Sequence, residues 1–201
     1  MRRPAIALAA ALLLVAGCSN DDKPQKPEAT TASATPTPTA SATPTVVAPE
    51  DLVVGLGAVG PALAGMSKTD ALKTGLFDAD VPPPVEGCPT IPLQWKKQYK
   101  GVDVIAFHGV IHSLGVFKGG PKTSTGIGYG STLDDVRKAY PDLSPVVDAG
   151  FNHSGAYEFA GNRFIGFLFG DATVSSIKGS SKVTFIEVTA GDKPDLIRDG
   201  C

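Results

Sequence analysis

The three histidines are the first residues to consider for chemistry, because imidazole is the commonest general base and zinc ligand near neutral pH. His108 and His112 are four residues apart, a spacing that can place two zinc ligands on one face of a helix. Their surroundings are apolar and β-branched, with Gly109 as a break, and no Glu completes a His-Glu-x-x-His motif. This pattern favours exposed or turn histidines over a metal site.

His153 lies in the loop Phe151–Gly155, and a hydrolase would use His153 or His108 as its base. Asp148 or Asp171 would then orient the imidazole. No Gly-x-Ser-x-Gly elbow and no cysteine nucleophile accompanies these residues in the sequence. The sequence therefore predicts a protein that is not an enzyme and carries no cofactor, with an envelope hydrolase as the alternative.

A glycine-rich segment, Gly126-Ile127-Gly128-Tyr129-Gly130, precedes a predicted helix, where backbone N–H groups could hold an anion. It lacks the last glycine of a Gly-x-Gly-x-x-Gly motif, a clear preceding strand and a Lys-Ser/Thr pair. We interpret it as a tight helix entry rather than a nucleotide-binding loop.

The segment Trp95–Lys100 combines the only Trp of the chain with three lysines. Trp and Tyr are frequent anchors of protein interfaces, whereas lysines on an edge strand discourage aggregation. Trp95, Lys96, Lys97 and Tyr99 are therefore candidate partner-binding residues, with a protected edge strand as the alternative.

The overall charge argues against nucleic acid as a partner. The chain has 18 Lys and Arg against 20 Asp and Glu, and removal of Arg2 and Arg3 with a leader would leave 16 against 20, a net charge of −4. Binding to phosphate backbones needs a surplus of basic residues, which is missing here.

The N-terminus is typical of an export signal, because two arginines precede the short apolar stretch Ala5–Ala16. Val15-Ala16-Gly17-Cys18 follows and resembles the lipobox of bacterial lipoproteins. The resemblance implies that residues 1–17 are removed and that Cys18 is acylated, with palmitate among the acyl groups. An ordinary secretory signal is the alternative. We expect a lipid-anchored protein on the extracytoplasmic face of the cell membrane, since two or more acyl chains make a stable anchor.

Residues 18–49 are predicted to form a disordered tether. Ala29–Thr45 contains only Ala, Thr, Ser and Pro, which cannot bury apolar surface and favours extended conformers. Thirty such residues could span about 90 Å.

The two remaining cysteines, Cys88 and Cys201, form an even pair in an oxidising compartment. A disulfide between them would close a loop of more than a hundred residues and stabilise the fold by about 4.7 kcal/mol in the entropic treatment. A redox or metal pair is the alternative, although neither cysteine belongs to a Cys-x-x-Cys motif.

Residues 50–201 are expected to form one globular domain of two repeats, about 50–120 and 121–201. Ser67 and Thr132 each follow a glycine-rich turn and precede an aspartate by three residues, as in a capping box, at an offset of 65. Strand-like segments follow each predicted helix, which indicates an α+β fold of two tandem repeats, each a short helix followed by an antiparallel β-meander. The predicted strands are Leu93–Tyr99, Val102–Phe107, Val110–Val116, Ala156–Phe159, Arg163–Phe169 and Lys182–Val188.

Gly57–Gly60 with Gly65–Ala71, and Thr125–Thr132 with Val136 and Tyr140-Pro141, resemble the helix entries of secreted actinobacterial lipoproteins of unassigned function. The tandem helix-plus-meander layout is similar to that of β-lactamase inhibitory proteins. These motifs are caps and turns, so the resemblance implies a fold rather than an activity.

Together these features predict a membrane-anchored envelope lipoprotein with a non-catalytic binding domain. Its partners would be membrane lipid, through acylated Cys18, and an envelope protein or cell-wall polymer. The alternatives are the envelope hydrolase and a structural spacer.

Overall fold

The computed structural model describes residues 46–79, 81 and 93–198, apart from the side chain of Asp171. Residues 42–201 belong to one compact unit. The predictions for Cys18, Cys88, Cys201 and the tether up to residue 45 lie outside the described residues. Within the described ranges, no helix has both the length and the apolar character needed to cross a bilayer.

The described chain is built mainly of short strands. Its two helices are α1 Lys68–Lys73 and α2 Leu133–Ala139, with 3-10 turns at Pro49–Asp51 and Val174–Ser176. The strands are β1 Val53–Gly55, β2 Ala58–Val59, β3 Ala62–Leu63, β4 Phe77–Asp78, β5 Gln94–Trp95, β6 Val102–Phe107, β7 Val110–Val116, β8 Lys122–Thr123, β9 Val147–Gly150, β10 His153–Ala160, β11 Arg163–Asp171 and β12 Phe185–Ala190.

The largest sheet is antiparallel and has six strands in the order β6-β7-β12-β11-β10-β9. A four-stranded sheet has the order β3-β2-β1-β8, in which β1 and β8 are parallel. β4 and β5 form a separate antiparallel pair.

The predicted α+β fold of two tandem repeats is wrong, because the protein is β-rich with only two short helices in its described part. The helices have six and seven residues, too few to form a layer of their own. The two predicted halves also do not form separate meanders, since β7 pairs directly with β12 and joins both sets of strands into one sheet.

Several local predictions are confirmed. β6 and β7 have the predicted bounds, and a His108-Gly109 turn with φ of 48° and 82° connects them. Both caps form, because the Ser67 and Thr132 hydroxyls accept the N–H groups of Asp70 and Asp135. Hydrogen bonds from Thr132 lower the pKa of Asp135, and those from Lys73 and Ser67 lower the pKa of Asp70.

The main core lies on one face of the six-stranded sheet. Alternate residues of β11 and β12 point into it, including the fully buried Ile165, Phe167, Ile186 and Val188. The helices and the smaller sheets contribute the other side, for example Val136 of α2.

The middle of the opposite face of this sheet is covered by the C-terminal strap, which we define as residues 191–198. Leu196 of the strap packs with Tyr157, Leu168 and Phe185 in a second, smaller cluster. A Cβ on Gly155 would collide with the Leu196 side chain, so the glycine makes room for the strap. The strap is therefore an integral part of the fold.

Candidate functional site

The candidate catalytic histidines are not brought together. His108 is exposed in the β6–β7 turn, whereas His153 begins β10 at the other end of the six-stranded sheet. His112 is exposed beside the Phe107 ring, with 5.5 Å between ring centroids. Among the described residues no group of three or more His, Cys, Asp or Glu side chains could hold a metal ion.

His153 is half-buried in the wall of a hollow of about 410 Å³. Most of the lining is apolar, from side chains such as Phe117 and Leu168, and the only lining hydroxyl among the described residues belongs to Thr184. That hydroxyl donates to the Leu168 carbonyl at 3.4 Å. Asp148 uses Oδ1 to accept the Gly150 N–H at 2.8 Å. The hollow is thus shaped to hold an apolar group.

The glycine-rich segment before α2 is a tight helix entry, as predicted. The N–H groups of Gly126 and Gly130 donate to the carbonyls of Thr123 and Val183. The Gly128 N–H donates to the Ser131 hydroxyl. These amides have partners inside the protein and do not point to an anion-binding loop.

Of the four candidate partner-binding residues, the structure places the two aromatic ones in the core. Trp95 and Tyr99 are 6% and 5% exposed. The Trp95 Nε1–H donates to the Asp103 carbonyl at 2.9 Å, and the Tyr99 hydroxyl donates to the Val47 carbonyl at 2.7 Å. The accessible members of the predicted patch are therefore Lys96, half-buried, and Lys97, exposed.

These lysines are part of a larger basic surface, which we define as Lys96, Lys97, Lys100, Lys118 and Lys122. The loops that follow β5 and β7 supply the first four, and Lys122 begins β8. The two loops touch, because the Phe117 N–H donates to the Gly101 carbonyl at 2.8 Å. A Cβ on Gly101 would collide with the backbone of the second loop, so the close approach requires glycine. Lys100 and Lys122 line an open hollow of about 630 Å³ between them.

The basic surface lies at one end of the six-stranded sheet, which we call the basic end. The pairings of Val102 with Val116 and of Val116 with Ile186 place the start of β6, the end of β7 and the start of β12 there. The pairings of β11 with β12 and of β10 with β11 place the end of β11 and the start of β10 at this end as well. The β9–β10 turn, with Phe151 at its tip, therefore belongs to the same end.

Phe151 is the most exposed large apolar side chain of the described residues, at 79%. It forms a tight turn with Asn152, both with positive φ of 51° and 60°. Such φ values are unusual for a bulky residue, and the turn leaves the Phe151 ring exposed. Val174, 40% exposed, lines a neighbouring hollow together with Asn152.

The sequence interpretation missed the charged cluster beneath the strap. Arg198 Nη1 lies 2.6 Å from Glu187 Oε1, and Arg198 Nε lies 2.9 Å from Asp103 Oδ2. The second Glu187 oxygen accepts the Leu196 N–H at 2.7 Å. The available signal was the single glutamate inside the apolar run of β12, which requires a partner once it is buried.

Comparison with known proteins finds no match to a protein family, to a curated protein or to a solved structure. The resemblance to secreted lipoproteins therefore remains a prediction from short motifs.

Tyr157 gives a test of the environment under the strap. Burial, with the nearby carboxylates of Glu187 and Asp195, raises its pKa to about 12. Since the folded pKa lies above the model-peptide value of 10.0, stability should be unaffected below about pH 10 and should fall as the pH rises from there towards 12. Ultraviolet titration of phenolate should lose its highest step in Tyr157→Phe and keep it in Tyr129→Phe.

Proposed function

We propose that this protein is a lipid-anchored binding protein of the extracytoplasmic membrane face and that its folded part binds without catalysis. The observation that carries the proposal is Phe151, a large aromatic side chain that is 79% exposed at the tip of a tight turn. Exposed aromatic residues are typical contact points, because they bury a large area at little cost in conformational entropy.

The surroundings of Phe151 support a contact surface. The hollow of about 410 Å³ beside it is lined by Phe117, Leu168 and Phe185, so an apolar group of a partner could bury itself there. The basic surface at the same end would supply charge complementarity. A hydrolase with a hydroxyl nucleophile is less well supported, because the one hydroxyl that lines the hollow beside His153 among the described residues, that of Thr184, donates to the Leu168 carbonyl.

The membrane anchor is supported by the sequence motif. Cys18 follows the lipobox-like residues, and the tether joins the domain near Val47. The Val47 carbonyl accepts a hydrogen bond from the Tyr99 hydroxyl, next to the lysines of the basic surface. We therefore expect the crosslinks that a short-range reagent forms in intact cells to map to the membrane side of the domain.

The proposed contact surface can be tested by crosslinking in intact cells. Phe151→Asn should reduce the yield of the main crosslinked product about tenfold or more, because asparagine tolerates the left-handed backbone but lacks the ring. The matched control is Phe159→Thr, which removes a 59% exposed phenylalanine at the opposite end of the sheet. Equal yields from Phe151→Asn and the unsubstituted protein would contradict the proposed surface.

Fractionation of Cys18→Ala tests the anchor separately. We expect this variant to lose stable membrane attachment, since the acyl chains supply the anchoring energy. Membrane retention equal to that of the unsubstituted protein would contradict the lipid anchor. The crosslinking result would still test the contact surface, because it does not depend on the anchor.

A further inference from the structure

We propose that the basic end of the sheet binds the anionic headgroup surface of a lipid bilayer, so that the anchored domain lies against the membrane. This inference rests on the proposed extracytoplasmic lipid anchor and names a partner for the same surface. It differs from the acyl anchor, because the folded domain itself would make the contact.

Charge is the first observation. None of the five lysines of the basic surface lies within 4.0 Å of a carboxylate oxygen of a described residue, so their charges are available to a partner. Glu50 is the one acidic side chain among the described residues lining the hollow between the two loops. In a chain with more acidic than basic residues, this is a local concentration of positive charge. Lysines near an anionic leaflet contribute about 1 kcal/mol each.

The arrangement of apolar side chains is the second observation. Phe151 and Val174 project from neighbouring connections at the basic end, on turns rather than on a flat face. Lysines beside a protruding aromatic ring are the combination found on proteins that lie in the membrane interface, where the ring enters the headgroup region and the charges stay at its surface. A soluble cell-wall polyanion would use the lysines but would have no apolar region for Phe151.

The attachment point of the tether is the third observation. Tyr99 holds Val47 beside the basic surface, so a chain anchored at Cys18 would enter the domain on the side that we assign to the membrane. The disordered tether predicted from the sequence, about thirty residues long, would give the domain an effective concentration near the bilayer of the order of millimolar. A weak contact by lysines and one phenylalanine is then sufficient to keep the domain bound to the bilayer surface.

The test uses the chain from Ser19 to Cys201, which contains the whole compact unit 42–201 but no acyl anchor. Co-sedimentation is measured with phosphatidylcholine vesicles and with vesicles in which phosphatidylglycerol replaces about a third of the lipid. We expect binding only to the anionic vesicles. Each of Lys96→Gln, Lys97→Gln, Lys100→Gln and Lys118→Gln should weaken it about fivefold, and Phe151→Asn about tenfold.

The matched control is the pair Lys68→Gln and Lys193→Gln. Lys68 adjoins the β6–β7 turn at the opposite end of the sheet, where its N–H donates to the Gly109 carbonyl. Lys193 lies over the middle of the sheet, with its Nζ 4.6 Å from the centroid of the Tyr157 ring. Both substitutions should leave vesicle binding unchanged. Circular dichroism of every variant establishes that loss of binding is not loss of folding.

The remaining outcomes separate this inference from the proposed function. Equal binding to both vesicle types, or equal weakening by the control pair, would overturn the lipid contact. A soluble phosphodiester polymer that displaces the chain from vesicles and binds Phe151→Asn undiminished would overturn it in favour of a polyanion. If vesicle binding fails while crosslinking in cells still depends on Phe151, the binding-domain proposal stands and only the lipid partner is wrong.

Discussion

Arg198→Ala should lower the free energy of unfolding by about 3–5 kcal/mol, the loss expected when a buried ion pair keeps only one of its charges. The Arg198 and Glu187 side chains are 16% and 3% exposed. Removing the guanidinium would leave the Glu187 carboxylate buried, with the Leu196 N–H as its one remaining hydrogen-bond donor among the described residues. Urea denaturation of the two proteins at neutral pH measures the difference.

Two further variants test this explanation. Glu187→Leu combined with Arg198→Met removes both charges and keeps much of the volume, so it should be considerably more stable than Arg198→Ala. Arg137→Ala removes an arginine from the exposed pair with Asp134 and should change stability by less than about 0.5 kcal/mol. If the double variant is as unstable as Arg198→Ala, the buried charge is not the cause.

The same residues explain why the strap is part of the folded core. Two carboxylates face one guanidinium, and the charges of Asp103 and Glu187 raise the Arg198 pKa against the opposing effect of its burial. The arginine therefore stays charged at all ordinary pH values. Asp103 belongs to β6 and Glu187 to β12, so Arg198 connects the strap to two strands.

The part of the fold that sequence could predict consists of elements whose signals are local. β6 and β7 follow from two apolar runs divided by His108-Gly109, and both helix starts follow from capping residues such as Thr132. β1, β2 and β3 have only two or three residues each, too few to show an alternating pattern. Because these strands were missed, the helices received too much weight and the α+β prediction followed.

The candidate site was predicted only in part, for a similar reason. Lys96 and Lys97 were predicted as candidate partner-binding residues, but Lys118 joins them only because the loops at Gly101 and Gly120 approach closely. That contact links residues far apart in sequence, and no local sequence pattern predicts it. Phe151 was also missed, since exposure depends on the turn that holds it.

Trp95→Ala should lower the free energy of unfolding by about 3–5 kcal/mol, as expected for the loss of a buried tryptophan. The ring lies 4.6 Å from that of Phe77 and 5.7 Å from that of Tyr99, measured between centroids. Its Nε1–H donates to the Asp103 carbonyl, on the edge strand that also contacts Arg198. Trp95→Phe keeps an aromatic ring but loses this hydrogen bond, so we expect a smaller loss of about 1–3 kcal/mol.

The same substitution separates a core role for Trp95 from the anchoring role that its sequence context suggests. A partner anchor would lose binding in Trp95→Ala without losing stability, whereas a core residue does the reverse. Urea denaturation measures the stability. Vesicle or partner binding is then compared without denaturant, at a temperature where circular dichroism shows that both proteins are folded. Because the ring is buried beneath the segment that carries Lys96 and Lys97, the folded variant should bind within about twofold of the unsubstituted protein. Strongly reduced binding by a fully stable variant would instead assign Trp95 to the contact surface.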